Sequence, residues 1–95
     1  MNKYETLYLI APELEDEAVR AEIDKFSGII ASNGGEIEST DEWGKRRLAY
    51  PINYKTEGYY VLTNFSASGE LPRELERNFK NDENILRYIV VRKDA

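Results

Sequence analysis

The chain has 95 residues, 18 acids against 13 bases for a net charge of −5, and no cysteine or histidine. This length fits one domain with a modest core, and the missing residue types exclude disulfides, thiolate or imidazole metal sites and any Ser-His or Cys-His nucleophile pair. With 41% hydrophobic residues it has the apolar mass to fold; no basic segment leads into an apolar run and cleavage site, and no apolar run approaches a membrane span, so a soluble cytoplasmic protein is expected.

Residues 3–10 predict a first strand, with Tyr4, Tyr8 and Ile10 on one alternating set and Leu7 and Leu9 on the other. Apolar members on both sets suit a central strand, and Pro12 ends it. Residues 13–33 predict a helix, because Val19, Ile23, Phe26 and Ile30 recur at steps of four, three and four. Glu15, Asp16 and Glu17 crowd its start, where negative charge meets the positive end of the helix dipole. Asn33-Gly34-Gly35 supplies a left-handed stop.

A second strand begins at residues 36–40. Trp43-Gly44 interrupts it, with Gly44 marking a bulge, and residues 46–52 resume it. Leu48, Tyr50 and Ile52 point one way; Arg47, Ala49 and Pro51 point the other. Pro51 cannot donate to a ladder, which places this stretch at a sheet edge or strand end. Residues 53–58 read as a hairpin connection and residues 59–65 as a third strand. Leu71, Leu75 and Phe79 recur every four residues after a loop at 66–69, and Pro72 suits a first helical turn, so a short second helix ends near Lys80. After a turn at 81–84, Ile85–Arg92 is a fourth strand; the last three residues are expected to fray.

The order β-α-β-β-α-β is the ferredoxin-like pattern, an α+β fold with a four-stranded antiparallel sheet and two helices on one face. The other sheet face is then expected to have no cover from the chain itself. Tyrosines on the strands make it a candidate docking platform. Charge is unevenly spread: residues 1–44 hold 11 acids and 3 bases, a net of −8, whereas residues 45–95 hold 7 acids and 10 bases, a net of +3. A local basic face on an acidic body follows.

Four functions were weighed on this frame. The third-strand signature of an RNA-recognition module fails, since Glu57 stands where a cation belongs and Tyr60 where a small residue belongs. A phosphate-handling enzyme is disfavoured by the acids around the first helix start, where an anion would have to sit. The same acids read as helix-dipole chemistry and not as a metal site. An RNA-and-protein adaptor fits best. Its phosphate-binding cations are Lys45, Arg46 and Arg47, with Lys3, Arg87, Arg92 and Lys93 on strands expected to be neighbours. Its partner-binding surface is Trp43, Tyr50, Pro51, Tyr60 and Tyr88. Arg46 and Arg47 should face opposite ways on a regular strand. The tyrosine-rich sheet also leaves open a self-pairing, ligand-binding module of the same fold.

The opening M-x-K-Y-E, the block W-G-K-R-R-L-A-Y-P-I at residues 43–52, the G-Y-Y at 58–60 and the ending D-E-N-I-L-R-Y-I-V-V at 82–91 resemble one family, at matching spacing over nearly the whole chain. The chain is similar to bacterial small-subunit ribosomal protein number six. The resemblance implies a ferredoxin-like fold and binding to the central domain of the small-subunit ribosomal RNA. It implies a heterodimer with a basic ribosomal protein, number eighteen. It also implies no catalysis, cofactor, membrane contact or small-molecule substrate.

Overall fold

A computed structural model describes residues 1–93. Six elements follow one another: β1 Asn2–Ile10, α1 Asp16–Ser32, β2 Glu36–Ile52, β3 Lys55–Ala67, α2 Leu71–Lys80 and β4 Ile85–Arg92. They form one antiparallel sheet in the order β2-β3-β1-β4, with β1 and β3 central. This is the expected ferredoxin-like arrangement.

Alternation along β1 decides which face the helices take. Tyr4, Tyr8 and Ile10 enter the core with Val61, Phe65 and Ala67 of β3, and the stripes Val19, Ile23, Phe26, Ile30 of α1 and Leu71, Leu75, Phe79 of α2 close over them. Phe79 is the hub. Its ring lies 4.2 Å from Phe26, 4.9 Å from Tyr8 and 5.2 Å from Tyr88, centroid to centroid. Such rings add pairing geometry to a large apolar burial. Thr6 and its cross-strand partner Thr63 are the buried polar members of this face, and the Thr6 hydroxyl donates to the Ile89 carbonyl at 2.8 Å, so it is buried without an orphaned group.

The boundaries differ from the periodicity at three places. α1 begins at Asp16, so Glu13 lies before it and Glu15 is its N-cap residue, leaving Asp16 and Glu17 as the first-turn acids. Glu13 instead pairs with Lys55 at 2.7 Å. The β2–β3 connection shrinks to Asn53-Tyr54, both in the left-handed region at φ 50° and 66°, and residues 55–58 join β3. Two successive positive φ values suit the right-handed twist of a tight hairpin. At the other end, Lys93 continues the β1–β4 pairing by donating its backbone N–H to the Lys3 carbonyl at 2.8 Å. The fraying expected for Asp94 and Ala95 lies outside the described residues.

The turn from α1 into β2 runs as expected through Gly34 at φ 82°. Gly35 follows, where a Cβ would sit 2.8 Å from Ile30 Cγ2 and from Leu71 Cδ2, and 2.9 Å from the Ile30 carbonyl oxygen. That carbonyl accepts the Gly35 N–H at 2.8 Å and cannot withdraw. Gly35→Ala is therefore expected to cost about 1–3 kcal/mol of stability, read by urea unfolding.

Beside the hub, α1 presents Glu22 to Asp82 in the turn before β4. Burial first, and then the hydrogen bond with Asp82, push the Glu22 carboxyl up to about 7. Its Oε2 is buried and lacks a partner as a carboxylate; protonated, it donates to Asp82. Burial alone would raise Asp82, but hydrogen bonds from Glu22 and from Lys25, at 2.8 Å, hold it below its usual value. The folded chain thus binds the Glu22 proton more tightly than the unfolded chain. This contribution is full below about pH 4.5 and is lost as pH climbs to about 7. Glu22→Gln keeps a donor toward Asp82 at every pH. It should flatten the fall in stability between roughly pH 5 and 8 and gain about 1 kcal/mol over wild type at the upper end, after solvent screening of a half-buried group. Unfolding curves at both pH values check this.

Candidate nucleic-acid and partner interface

The sheet face away from the helices is set by the residues that alternate with the core. Leu7 and Leu9 of β1, Tyr60 of β3 and Ile89 of β4 line an open groove of about 270 Å³ together with Leu48, Tyr50 and Arg87. Its exposed apolar rim includes Tyr50 at 58%, Ile89 at 49% and Val91 at 44%.

This face is not wholly bare. The β2–β3 register slips between Arg47 and Ile52, leaving residues 48–51 outside the ladder. Freed there, the chain folds over the groove. Leu48 is buried to 9% exposure, and Arg87 of β4 donates to the Tyr50 hydroxyl at 2.5 Å from the far edge of the sheet. The Arg87 guanidinium also lies 5.9 Å from the Tyr50 ring centroid. The expectation of a face without intramolecular cover is corrected to this extent. Pro51 sits in the unpaired stretch of an edge strand, where its missing N–H costs nothing.

At the expected bulge the register slips between Glu42 and Gly44, with Gly44 at φ 81°, and Trp43 has no cross-strand partner. The indole stacks on Tyr60 at 5.8 Å and 14° between planes, and its Nε1 donates to Asp41 Oδ2 at 3.1 Å. The Arg46 guanidinium lies 5.2 Å from the indole ring centroid. Past the bulge, Lys45 pairs with Tyr59, Arg46 with Gly58 and Arg47 with Glu57. Directly paired residues share a face, so Arg46 lies on the groove side and Lys45 and Arg47 on the helix side. The K-R-R run is thereby split, as alternation predicts for Arg46 and Arg47.

The remaining cations gather elsewhere. Lys3 lies opposite Ser66 and bonds Glu38 at 2.8 Å. Lys93 Nζ donates to Asn64 Oδ1 at 2.7 Å, and Arg92, opposite Tyr4, donates to Asn2 at 3.0 Å. The hydrogen bond from Lys3 holds the Glu38 carboxyl below its usual range. Arg87 faces Leu9, six residues along β1 from Lys3, which is about 20 Å. Lys3 therefore shares one end of the sheet with Arg92 and Lys93, Arg92 on the helix side beside Tyr4 and Lys3 on the other side, and Arg87 is grouped with Tyr50.

Among the partner-surface residues, Trp43, Tyr50, Pro51 and Tyr60 come together on the groove side. Tyr88 borders the groove, but its ring does not join them. It pairs with Tyr8 and stacks on Phe79, on the helix-covered face. β4 is apolar on both alternating sets, which hides its facing in the sequence.

A polar clamp absent from the sequence reading lies behind the bulge. Arg20 of α1 donates through both terminal nitrogens to the two Glu42 oxygens, each at 2.8 Å, and the Tyr59 hydroxyl donates to Glu42 Oε1 at 3.1 Å. The Arg20 bond holds the Glu42 carboxyl below its usual range, while burial and then the bond to Glu42 push the Tyr59 hydroxyl up. Its sequence signal, a cation and an acid 22 residues apart, needs the register before it can be read. Among the described residues no three acids converge to hold a metal ion, and no helix is long and apolar enough to cross a membrane.

Comparison with known proteins agrees with this geometry. A family described as Ribosomal protein S6 matches residues 3–92. A small ribosomal subunit protein bS6 from Clostridium novyi is 54% identical over 91 residues, covering 96% of each chain. One from Caldanaerobacter subterraneus is 49% identical over 94 residues and 99% of each. The crystal structure of 30S ribosomal protein S6 from Thermotoga maritima superposes with a TM-score of 0.93 at 28% identity, covering 97% of this chain and 87% of that one. With sequence and fold matched from end to end, the protein belongs to the ribosomal protein S6 family, a non-enzymatic family of the small ribosomal subunit.

Proposed function

We propose that the protein is a cytoplasmic structural component of the small ribosomal subunit that binds the central domain of the subunit's RNA together with a basic ribosomal protein, number eighteen. One observation carries this reading. Two guanidinium groups are held by aromatic residues, Arg46 over the Trp43 ring and Arg87 on the Tyr50 hydroxyl, at the border of an exposed apolar sheet face, on a body of net charge −5. An acidic protein repels phosphate by its own field, so a cationic companion is needed before polynucleotide approaches.

The split of the cations divides the work. Arg46 and Arg87, beside the groove, meet the partner protein together with Trp43, Tyr50, Pro51 and Tyr60. Lys45 and Arg47 on the opposite side of the hairpin, and Lys3, Arg92 and Lys93 at the other end of the sheet, meet phosphate. Arginine suits both tasks because its planar fork donates in pairs. A small-ligand module of the same fold has less support, since the family match and the relatives are ribosomal proteins.

In a gel-shift series the chain should bind the central-domain RNA weakly alone and tightly with the basic partner; equal affinity in both lanes would sink the cooperative mechanism. Arg46→Ala should weaken heterodimer formation by about 1–3 kcal/mol with no change in the salt slope of RNA binding. Arg47→Ala should leave the heterodimer intact and reduce that slope by about one. Titration calorimetry and salt-dependent gel shifts separate the two.

A further inference from the structure

Trp43, the ring on which Arg46 lies, sits where the β2–β3 ladder is broken. β2 is an edge strand with a neighbour on one side only, and at Trp43 the register to that neighbour is broken. Gly44, next in the chain, has the backbone freedom of φ 81°. The residue that lacks a ladder partner at this bulge is thus the one that carries the half-buried indole.

Two contacts confine it. On the groove side are the stack on Tyr60 and the bond to Asp41. On the helix side is Glu42, the residue immediately before Trp43, held by the forked bond from Arg20 and by the Tyr59 hydroxyl. A forked guanidinium–carboxylate pair fixes orientation as well as distance. Glu42 and Trp43 leave the strand on opposite faces, so fixing the first fixes the direction of the second.

We propose that Arg20, on the helix side of the sheet and outside the groove, is a positioning residue: through Glu42 it sets the bulge that aims Trp43 and Arg46 at the partner protein. The inference rests on the reading of the groove face as a docking surface. Without the clamp, the bulge samples other backbone geometries, and the partner meets the stacked ring and guanidinium in a fraction of molecules only. Apparent affinity falls by that fraction.

Trp43 is the chain's one tryptophan, so its fluorescence reports the bulge directly in the free protein. Arg20→Ala should raise acrylamide quenching of Trp43 and weaken binding to the basic partner about three- to thirtyfold. Arg20→Lys should recover part of both signals, because an ammonium is a point donor without the fork. The exchange of Arg20→Glu with Glu42→Arg should recover more. Lys25→Ala, which breaks a different α1 ion pair, with Asp82, should leave quenching and partner affinity unchanged.

Unaltered quenching in Arg20→Ala overturns the clamp and leaves the docking surface standing. Altered quenching with unaltered partner affinity overturns both the inference and the assignment of this face to docking. Equal losses of affinity in Arg20→Ala and Lys25→Ala would mark a general stability effect and also overturn it.

Discussion

Two helices with one apolar stripe each can cover one face of a four-stranded sheet and no more. The residue that commits the chain to this arrangement is Phe79, whose ring contacts Phe26 of α1, Tyr8 of β1 and Tyr88 of β4. Once that stack forms, strand alternation places every other residue of β1 and β3 on the far side. Leu7, Leu9 and Tyr60 face the groove because Tyr8, Ile10 and Val61 are required beneath the helices. The groove face is in this sense what remains after the core has been satisfied, and on β1 and β3 its position is set by the core that defines it.

An arginine beside apolar surface faces competing demands. It must be held in place, yet keep donors for its ligand. Stacking meets both, because the contact uses the face of the guanidinium while its N–H groups lie in the plane. Arg46 over Trp43 has this solution, whereas Arg87, from the opposite edge of the sheet, is held by donating to the Tyr50 hydroxyl. Arg20 and Lys55 are used differently, each bonded to a carboxylate that absorbs its charge. Thus the 13 bases of the chain are not equivalent, and only some of them project cationic character outward.

Much of the fold was legible because its signals are local. The four-residue recurrence of Leu71, Leu75 and Phe79 bounds α2, the alternation of Tyr4, Tyr8 and Ile10 faces β1, and Gly44 and Pro51 mark the irregular edge strand. The site was legible in its membership more than in its geometry. The fold-over of Leu48 and Tyr50 depends on Arg87, 37 residues away in sequence. Tyr88 could not be faced because both alternating sets of β4 are apolar. The hairpin is shorter than its sequence suggests because Asn53-Tyr54 lacks the glycine that usually announces a tight turn. The Arg20–Glu42 clamp was invisible for the same reason as the fold-over: neither partner has a pattern until β2 has a register. Local periodicity fixes which face a residue serves; long-range register decides what it touches there.

An exposed apolar face on an edge-stranded sheet invites self-association, and the charge pattern opposes it. Like molecules of net charge −5 repel one another. The edge strand β2 also breaks its own ladder at Trp43 and at residues 48–51 and sets Lys45 and Arg47 between the breaks, which are known devices against edge pairing. The same negative field that keeps copies apart and holds phosphate off attracts a cationic protein, so one electrostatic property sets an order of events. Under the proposed function, a basic partner covers the face first and the polynucleotide follows, because only then is the sign of the surrounding field reversed.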